Sequence, residues 1–157
     1  MNVNPSLLAP CGLYCGVCGV YFATRDDNHK FLEKLLNFYQ SNLPGTDHLT
    51  IDDIKCQGCL SNQISAFCQV CGIKECTKQK GFDGCHQCEQ FPCENIENFP
   101  IPVGKKVILR AVPYWREHGT EKWVKDEEIR YQCPSCGHQL FRGAKRCNEC
   151  KKTVDLD

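Results

Sequence analysis

CQGCLSNQISAFCQVCGIKECTKQKGFDGCHQCEQFPC, residues 56–93, carries eight of the chain's cysteines: Cys56, Cys59, Cys68, Cys71, Cys76, Cys85, Cys88 and Cys93. The tail of the run repeats. Cys59, Cys68, Cys71 and Cys76 recur seventeen residues on as Cys76, Cys85, Cys88 and Cys93. A CxxC pair can turn both sulfurs toward one ion, so the spacing points to thiolate metal binding. Cys56, Cys59, Cys68 and Cys71 can close around one ion, and Cys76, Cys85, Cys88 and Cys93 around a second. A cross-braced pairing stays open, because Cys76 belongs to both copies of the repeat.

The totals favour metal over disulfides. The chain has 157 residues and is 41% hydrophobic, but that fraction includes 15 cysteines. The remaining apolar supply is modest, and a domain short of apolar burial needs staples. An odd cysteine count is awkward for a closed disulfide framework, and the chain holds six CxxC pairs. No apolar N-terminal run with a basic flank and no membrane-length apolar stretch occurs, so a cytoplasmic protein without a membrane role is expected. Thiols stay reduced there. The formal charge of zero counts thiols as neutral; four thiolates around zinc carry two negative charges. The metallated protein is then acidic overall, which gives little support to general nucleic-acid binding.

Upstream, LAPCGLYCGVCGVYFA at 8–23 contains Cys11, Cys15 and Cys18. On a helix they share one face at i, i+4 and i+7. Gly12, Gly16 and Gly19 leave tight turns as the alternative. CxxxCxxC is also the spacing by which radical S-adenosylmethionine enzymes hold an iron–sulfur cluster. Those enzymes need a large partial barrel, and this chain is too short and lacks the alternation of strands and helices. The early three and the central eight make eleven cysteines, one short of three complete four-thiolate sites.

Two cysteine-free stretches separate the groups. HKFLEKLLNFYQ predicts a helix over 28–40, capped by oxygens from Asp26, Asp27 or Asn28. Asp52 and Asp53 are candidate caps before Cys56, and His29, His48 and His86 are spare imidazoles. GKKVILRAVPYWREHG starts as a helix that Pro113 kinks or restarts and Gly119 ends. A second helix is expected over 120–130, carrying Trp123, with Glu127 and Glu128 on a solvated face.

YQCPSCGHQLFRGAKRCNECKKTVD places Cys133–Cys136 and Cys147–Cys150 ten residues apart. This spacing predicts one zinc in a β zinc ribbon, with short strands over 139–142 and 153–156. Arg142, Lys145, Arg146, Lys151 and Lys152 make the segment locally basic.

The chain resembles the cysteine-rich family catalogued as domain of unknown function number 3795. The resemblance rests on APCGLYCGVC at 9–18, CQGC at 56–59, CQVCGIKEC at 68–76 and KGFDGCHQCEQFPC at 80–93, and covers roughly residues 7 to 99. It implies a cytosolic microbial zinc protein and transfers no activity. The family cysteines map to Cys11, Cys15, Cys18, Cys56, Cys59, Cys68, Cys71, Cys76, Cys85, Cys88 and Cys93. Tyr14 departs from the aspartate that similar chains often carry.

The expected fold is therefore a small, metal-stabilised, mainly α-helical and irregular cysteine-rich domain with a C-terminal β zinc ribbon. Residues 1–99 form the cysteine-rich metal-binding domain, 100–131 a helical linker or packing segment, and 132–157 the ribbon. The leading functional reading is a zinc-binding structural or protein-interaction module, with three or four zinc ions and no catalytic residues. Two alternatives stand beside it. One is an iron–sulfur or open-site zinc enzyme using Cys11, Cys15 and Cys18. The other is a nucleic-acid-binding protein acting through the basic C-terminal segment.

Overall fold

Asn28 starts the first long helix by accepting a hydrogen bond from the Phe31 N–H at 3.0 Å, which satisfies one of the free donors of the first turn. The structure is a computed structural model that describes residues 2–157. Its helices are α1 (Gly19–Arg25), α2 (His29–Asn42), α3 (Ile51–Ile54), α4 (Ala66–Gln69), α5 (Gly72–Lys80), α6 (Glu94–Glu97), α7 (Pro102–His118) and α8 (Thr120–Arg130). Short 3₁₀ turns lie at Pro5–Leu7, Cys15–Val17 and Cys85–Gln87. The expected helices over 28–40 and 120–130 are thus α2 and α8. Residues 11–18 take the tight-turn alternative: Gly12 has a φ of 87°, and only Cys15–Val17 coil. Thr50 caps α3, and Asp53 completes the cap by accepting from the Thr50 N–H at 2.7 Å.

Four small apolar clusters replace one large core. Leu32 of α2 meets Ala23 and Ile54 in the first. Ile108 and Val112 of α7 join Cys11, Cys59, Ile73, Cys85 and Ile96 in the second. Trp115, Trp123, Val124 and Tyr131 meet Leu7, Tyr14 and Val17 in the third. The fourth surrounds the C-terminal cysteines. Segment 100–131 therefore supplies apolar mass to the family region as well as connecting it onward. α7 runs unbroken through Pro113 and stops at Gly119, whose φ is 79°.

An aromatic stack joins the parts. Trp115 lies between His86, with ring centroids 3.7 Å apart, and Trp123, at 4.0 Å. Tyr14 then meets Trp123 edge-on at 5.9 Å. The Trp115 indole N–H donates to the Thr120 hydroxyl at 2.9 Å, so Thr120 serves the stack and makes no side-chain cap for α8.

Glu127 and Glu128 correct the expectation of a solvated face. Glu127 is buried and paired with Arg110, whose Nη2 donates to its Oε2 at 3.2 Å. Glu128 accepts from the Tyr14 hydroxyl at 2.9 Å. The reason is periodicity: α8 packs Trp123 and Val124 inward, and positions three to four residues on share that face.

The β zinc ribbon is overturned. Among the described residues there is no strand, and 132–157 contains only two isolated antiparallel bridges, Gln132 with Gln139 and Arg146 with Thr153. Each bridge is a single residue pair: Cys133 N–H donates to His138 C=O at 2.8 Å and Leu140 N–H to Tyr131 C=O at 2.7 Å, while Cys147 N–H donates to Lys152 C=O at 2.9 Å and Val154 N–H to Lys145 C=O at 3.0 Å. The first pairing does not extend, because Arg142 N–H reaches across to Val17 C=O at 2.8 Å. The architecture is a small, mostly α-helical, cysteine-rich domain. Among the described residues no helix is long and apolar enough to cross a membrane.

The buried carboxylate makes a stability prediction. Arg110→Met removes the ion-pair partner of Glu127 and strands its charge, which should cost about 3 kcal/mol. Urea unfolding of the metal-loaded protein should show this loss, and the double change Arg110→Met with Glu127→Leu should recover most of it.

Candidate metal centre

Two tight turns build the C-terminal site. After Cys133-Pro-Ser-Cys136 the chain turns at Gly137, with φ of 74°; after Cys147-Asn-Glu-Cys150 it turns at Lys151, with φ of 62°. Each turn closes with a backbone bond, Gly137 N–H to Cys133 C=O at 2.8 Å and Lys151 N–H to Cys147 C=O at 3.1 Å. The turns face each other and bring four sulfurs together. Cys133 and Cys150 Sγ are 3.6 Å apart, and Cys136 and Cys147 Sγ are 3.7 Å apart. All four lie within 4.8 Å of one another. Sulfurs held at about 2.3 Å by a tetrahedral ion stand about 3.8 Å apart, so two edges of the set match a zinc-type tetrahedron and all four sulfurs lie within 4.8 Å of one another.

The electrostatics are uneven across the four. Burial pushes the Cys133 thiol up, but backbone N–H groups of Ser135 and Cys136 and the sulfurs of Cys136 and Cys150 outweigh it and bring it down to about 6. A backbone contact from His138 favours the Cys136 thiolate; burial and the three neighbouring sulfurs oppose it and push it up to about 12. Cys133 is thus the readier thiolate of these two, and a bound cation favours the deprotonated form of Cys136 beside it. Leu140, Ala144 and Val154 cover the buried side of the site, while Cys136 faces solvent.

The loop between the turns docks on the family region. Phe141 packs against Phe31 with the rings tilted and their centroids 4.9 Å apart. Arg142 donates from Nη1 to Tyr14 C=O at 3.2 Å, and its guanidinium lies beside Cys18 and Cys15. Of the basic residues singled out in the sequence, Arg142 therefore turns inward, and Arg146 is tied to Lys151 C=O at 2.8 Å. Tyr131 and Asp157 are hydrogen-bonded, and Asp157 also accepts from the Gly143 N–H at 2.9 Å, fastening the chain end to the loop.

Six of the eleven family cysteines, Cys11, Cys15, Cys59, Cys71, Cys85 and Cys93, belong to or pack against the cluster under α7. Among the described residues, the C-terminal four are the set whose ligand atoms converge within 4.8 Å. Cys11 and Cys15 share the α7-covered cluster with Cys59 and Cys71, but Cys11, Cys15 and Cys18 do not bring their sulfurs together to that distance. Burial pushes Cys11 and Cys85 up to about 12 and Cys59 up to about 11. Burial also pushes Cys68 well above the ordinary thiol range, with added repulsion from Cys59, Cys15, Cys18 and Cys56. Two backbone donors point at sulfur in this region: Gly58 N–H to Cys56 Sγ and Cys59 N–H to Cys15 Sγ, both at 3.4 Å. Gly58 is required there, since its φ is 118° and a Cβ would come within 2.3 Å of Ser6 C=O. His86 is committed to its stack on Trp115, and burial lowers its basicity.

With this geometry in place, the comparison with known proteins is decisive for family. The family described as Protein of unknown function (DUF3795) matches residues 7–98. The chain belongs to that family. The match ends before α7, so the C-terminal four-cysteine site lies outside the family segment. No curated protein and no solved structure matches the chain.

The sequence missed the partners more than the ligands. Arg142 as a docking residue and Glu128 as the acceptor of Tyr14 carried no local signal, since each contact spans more than a hundred residues. Replacing Arg142 with Ala should leave the four C-terminal sulfurs in place and loosen the loop. Amide hydrogen exchange should quicken at least about tenfold around 140–144 and 14–18, with metal content unchanged.

Proposed function

We propose that the protein is a zinc-binding structural module whose C-terminal ion fixes a docking loop. The reading rests on one observation: four sulfurs gathered within 4.8 Å of one another, two of whose edges, at 3.6 and 3.7 Å, match a zinc tetrahedron. Four thiolates favour a soft or borderline cation, and zinc takes this set with no redox demand. A four-thiolate site is closed. It leaves no coordination position for water or substrate, so its contribution is to folding and not to turnover.

What the ion would hold is the path from Gly137 to Arg146. Without it, the loop is left with the contacts of Phe141 on Phe31, of Arg142 on Tyr14 and Val17, and of Gly143 on Asp157. The bound ion therefore couples residues 132–157 to the family region. We read the biological role as interaction: a small rigid scaffold that presents a fixed surface to another protein. The basic side chains of Lys145 and Lys152 are exposed on this segment and suit an acidic partner.

Metal removal tests the reading. A strong chelator at neutral pH should take zinc from the protein, lower its melting temperature by roughly 10 °C or more, and free Cys133, Cys136, Cys147 and Cys150 for alkylation; loss of a 2–4 kcal/mol staple produces a shift of that order. Protein purified under reducing conditions without zinc, yet with the same melting temperature, would contradict it.

A further inference from the structure

The cysteines of the repeat surround a cavity of their own. Cys76 and Lys80 lie one turn apart on the same side of α5. The 3₁₀ turn at Cys85–Gln87 delivers Cys85 and Cys88, and Cys93 closes the ring just before α6. Cys76, Cys85, Cys88 and Cys93 all line one cavity of about 20 Å³, walled by Phe82 and Phe91. Neither a carboxylate nor an imidazole lines it, so its metal donors are thiols. Lys80 Nζ donates to Cys88 Sγ at 3.7 Å and to Gln90 Oε1 at 3.1 Å.

The cavity is also braced. Arg116 donates to the carbonyls of His86 and Cys88, both at 2.8 Å, and the Cys85 N–H donates to Pro10 C=O at 2.8 Å. These bonds fix the Cys85–Cys88 turn from α7 and from the N-terminal segment. A space of this size admits roughly one water-sized sphere. It suits a single ion. The four sulfurs stand wider apart than the C-terminal set, so an ion would draw them inward by side-chain rotation.

We propose that Cys76, Cys85, Cys88 and Cys93 form a second metal centre, one zinc ion held by four thiolates inside the family segment. Binding breaks four S–H bonds, forms four Zn–S bonds and releases four protons to solvent, with no change in oxidation state. The resulting double negative charge is offset by Lys80. This centre shares the zinc chemistry of the C-terminal site and none of its residues.

The test uses the full chain purified with zinc in the medium. Metal content and native mass spectrometry are compared for wild type, Cys88→Ser and Cys136→Ser, with iodoacetamide mapping of the native proteins. Wild type should carry at least two zinc ions. Each variant should lose one, and Cys136→Ser should keep Cys76, Cys85, Cys88 and Cys93 at least tenfold slower to alkylate than in the denatured chain. That protection supports the second centre whether or not the C-terminal ion is bound, and mapping of wild type before and after chelation gives the same readout if Cys88→Ser does not fold. Three results would overturn the proposal. They are a wild-type zinc count in folded Cys88→Ser, full alkylation of the four thiols in native wild type, and iron with acid-labile sulfide in place of zinc.

Discussion

Trp115 is the contact on which the arrangement depends. Its ring is enclosed by His86 on one face and Trp123 on the other, with Tyr14 beyond. These four residues come from the early cysteine turns, the central block, α7 and α8. A chain with four small apolar clusters has no broad core to align its parts. A rigid aromatic stack supplies that alignment, because stacked and edge-on rings gain energy beyond their buried area and tolerate little displacement. Gly84 shows how close the fit is: a Cβ there would approach Trp115 to 2.8 Å.

Charged groups are placed to reinforce the same junctions. Arg110 holds the buried Glu127 between α7 and α8. Tyr14 reaches Glu128 from the N-terminal turns. Arg142 brings a cation from the C-terminal loop to the sulfurs of Cys15 and Cys18. The Tyr14 and Arg142 contacts join segments more than a hundred residues apart, and the Arg110–Glu127 pair joins α7 to α8. The C-terminal four-thiolate site belongs to the same scheme, since it sets the direction in which Phe141 and Arg142 leave their loop.

Local signals in the sequence carried over well. The stripe of α2 and the breaks at Asn28 and Gly119 set helix limits to within about two residues. The C-terminal ligand set was also legible, because CxxC spacing constrains sulfur positions through covalent geometry. The β ribbon was not. Short residues between two CxxC turns are compatible with strands, but the choice between a ladder and two bridges depends on where Arg142 N–H finds its acceptor, and that acceptor is Val17. Glu127 was misread for a similar reason: its neighbours in sequence are charged, while its neighbour in space is Arg110. Tyr14, noted in the sequence only as a departure from aspartate, became a junction residue through contacts at positions 123 and 128.

The central claim is that sulfur from Cys133, Cys136, Cys147 and Cys150 holds a zinc ion. Zinc-edge X-ray absorption on the purified full chain tests it most directly. The account predicts a first shell of four sulfurs at about 2.3 Å with no nitrogen or oxygen scatterer, and loss of one zinc equivalent in Cys136→Ser. A shell containing light atoms as majority ligands, or a protein that folds with no bound zinc, would contradict it.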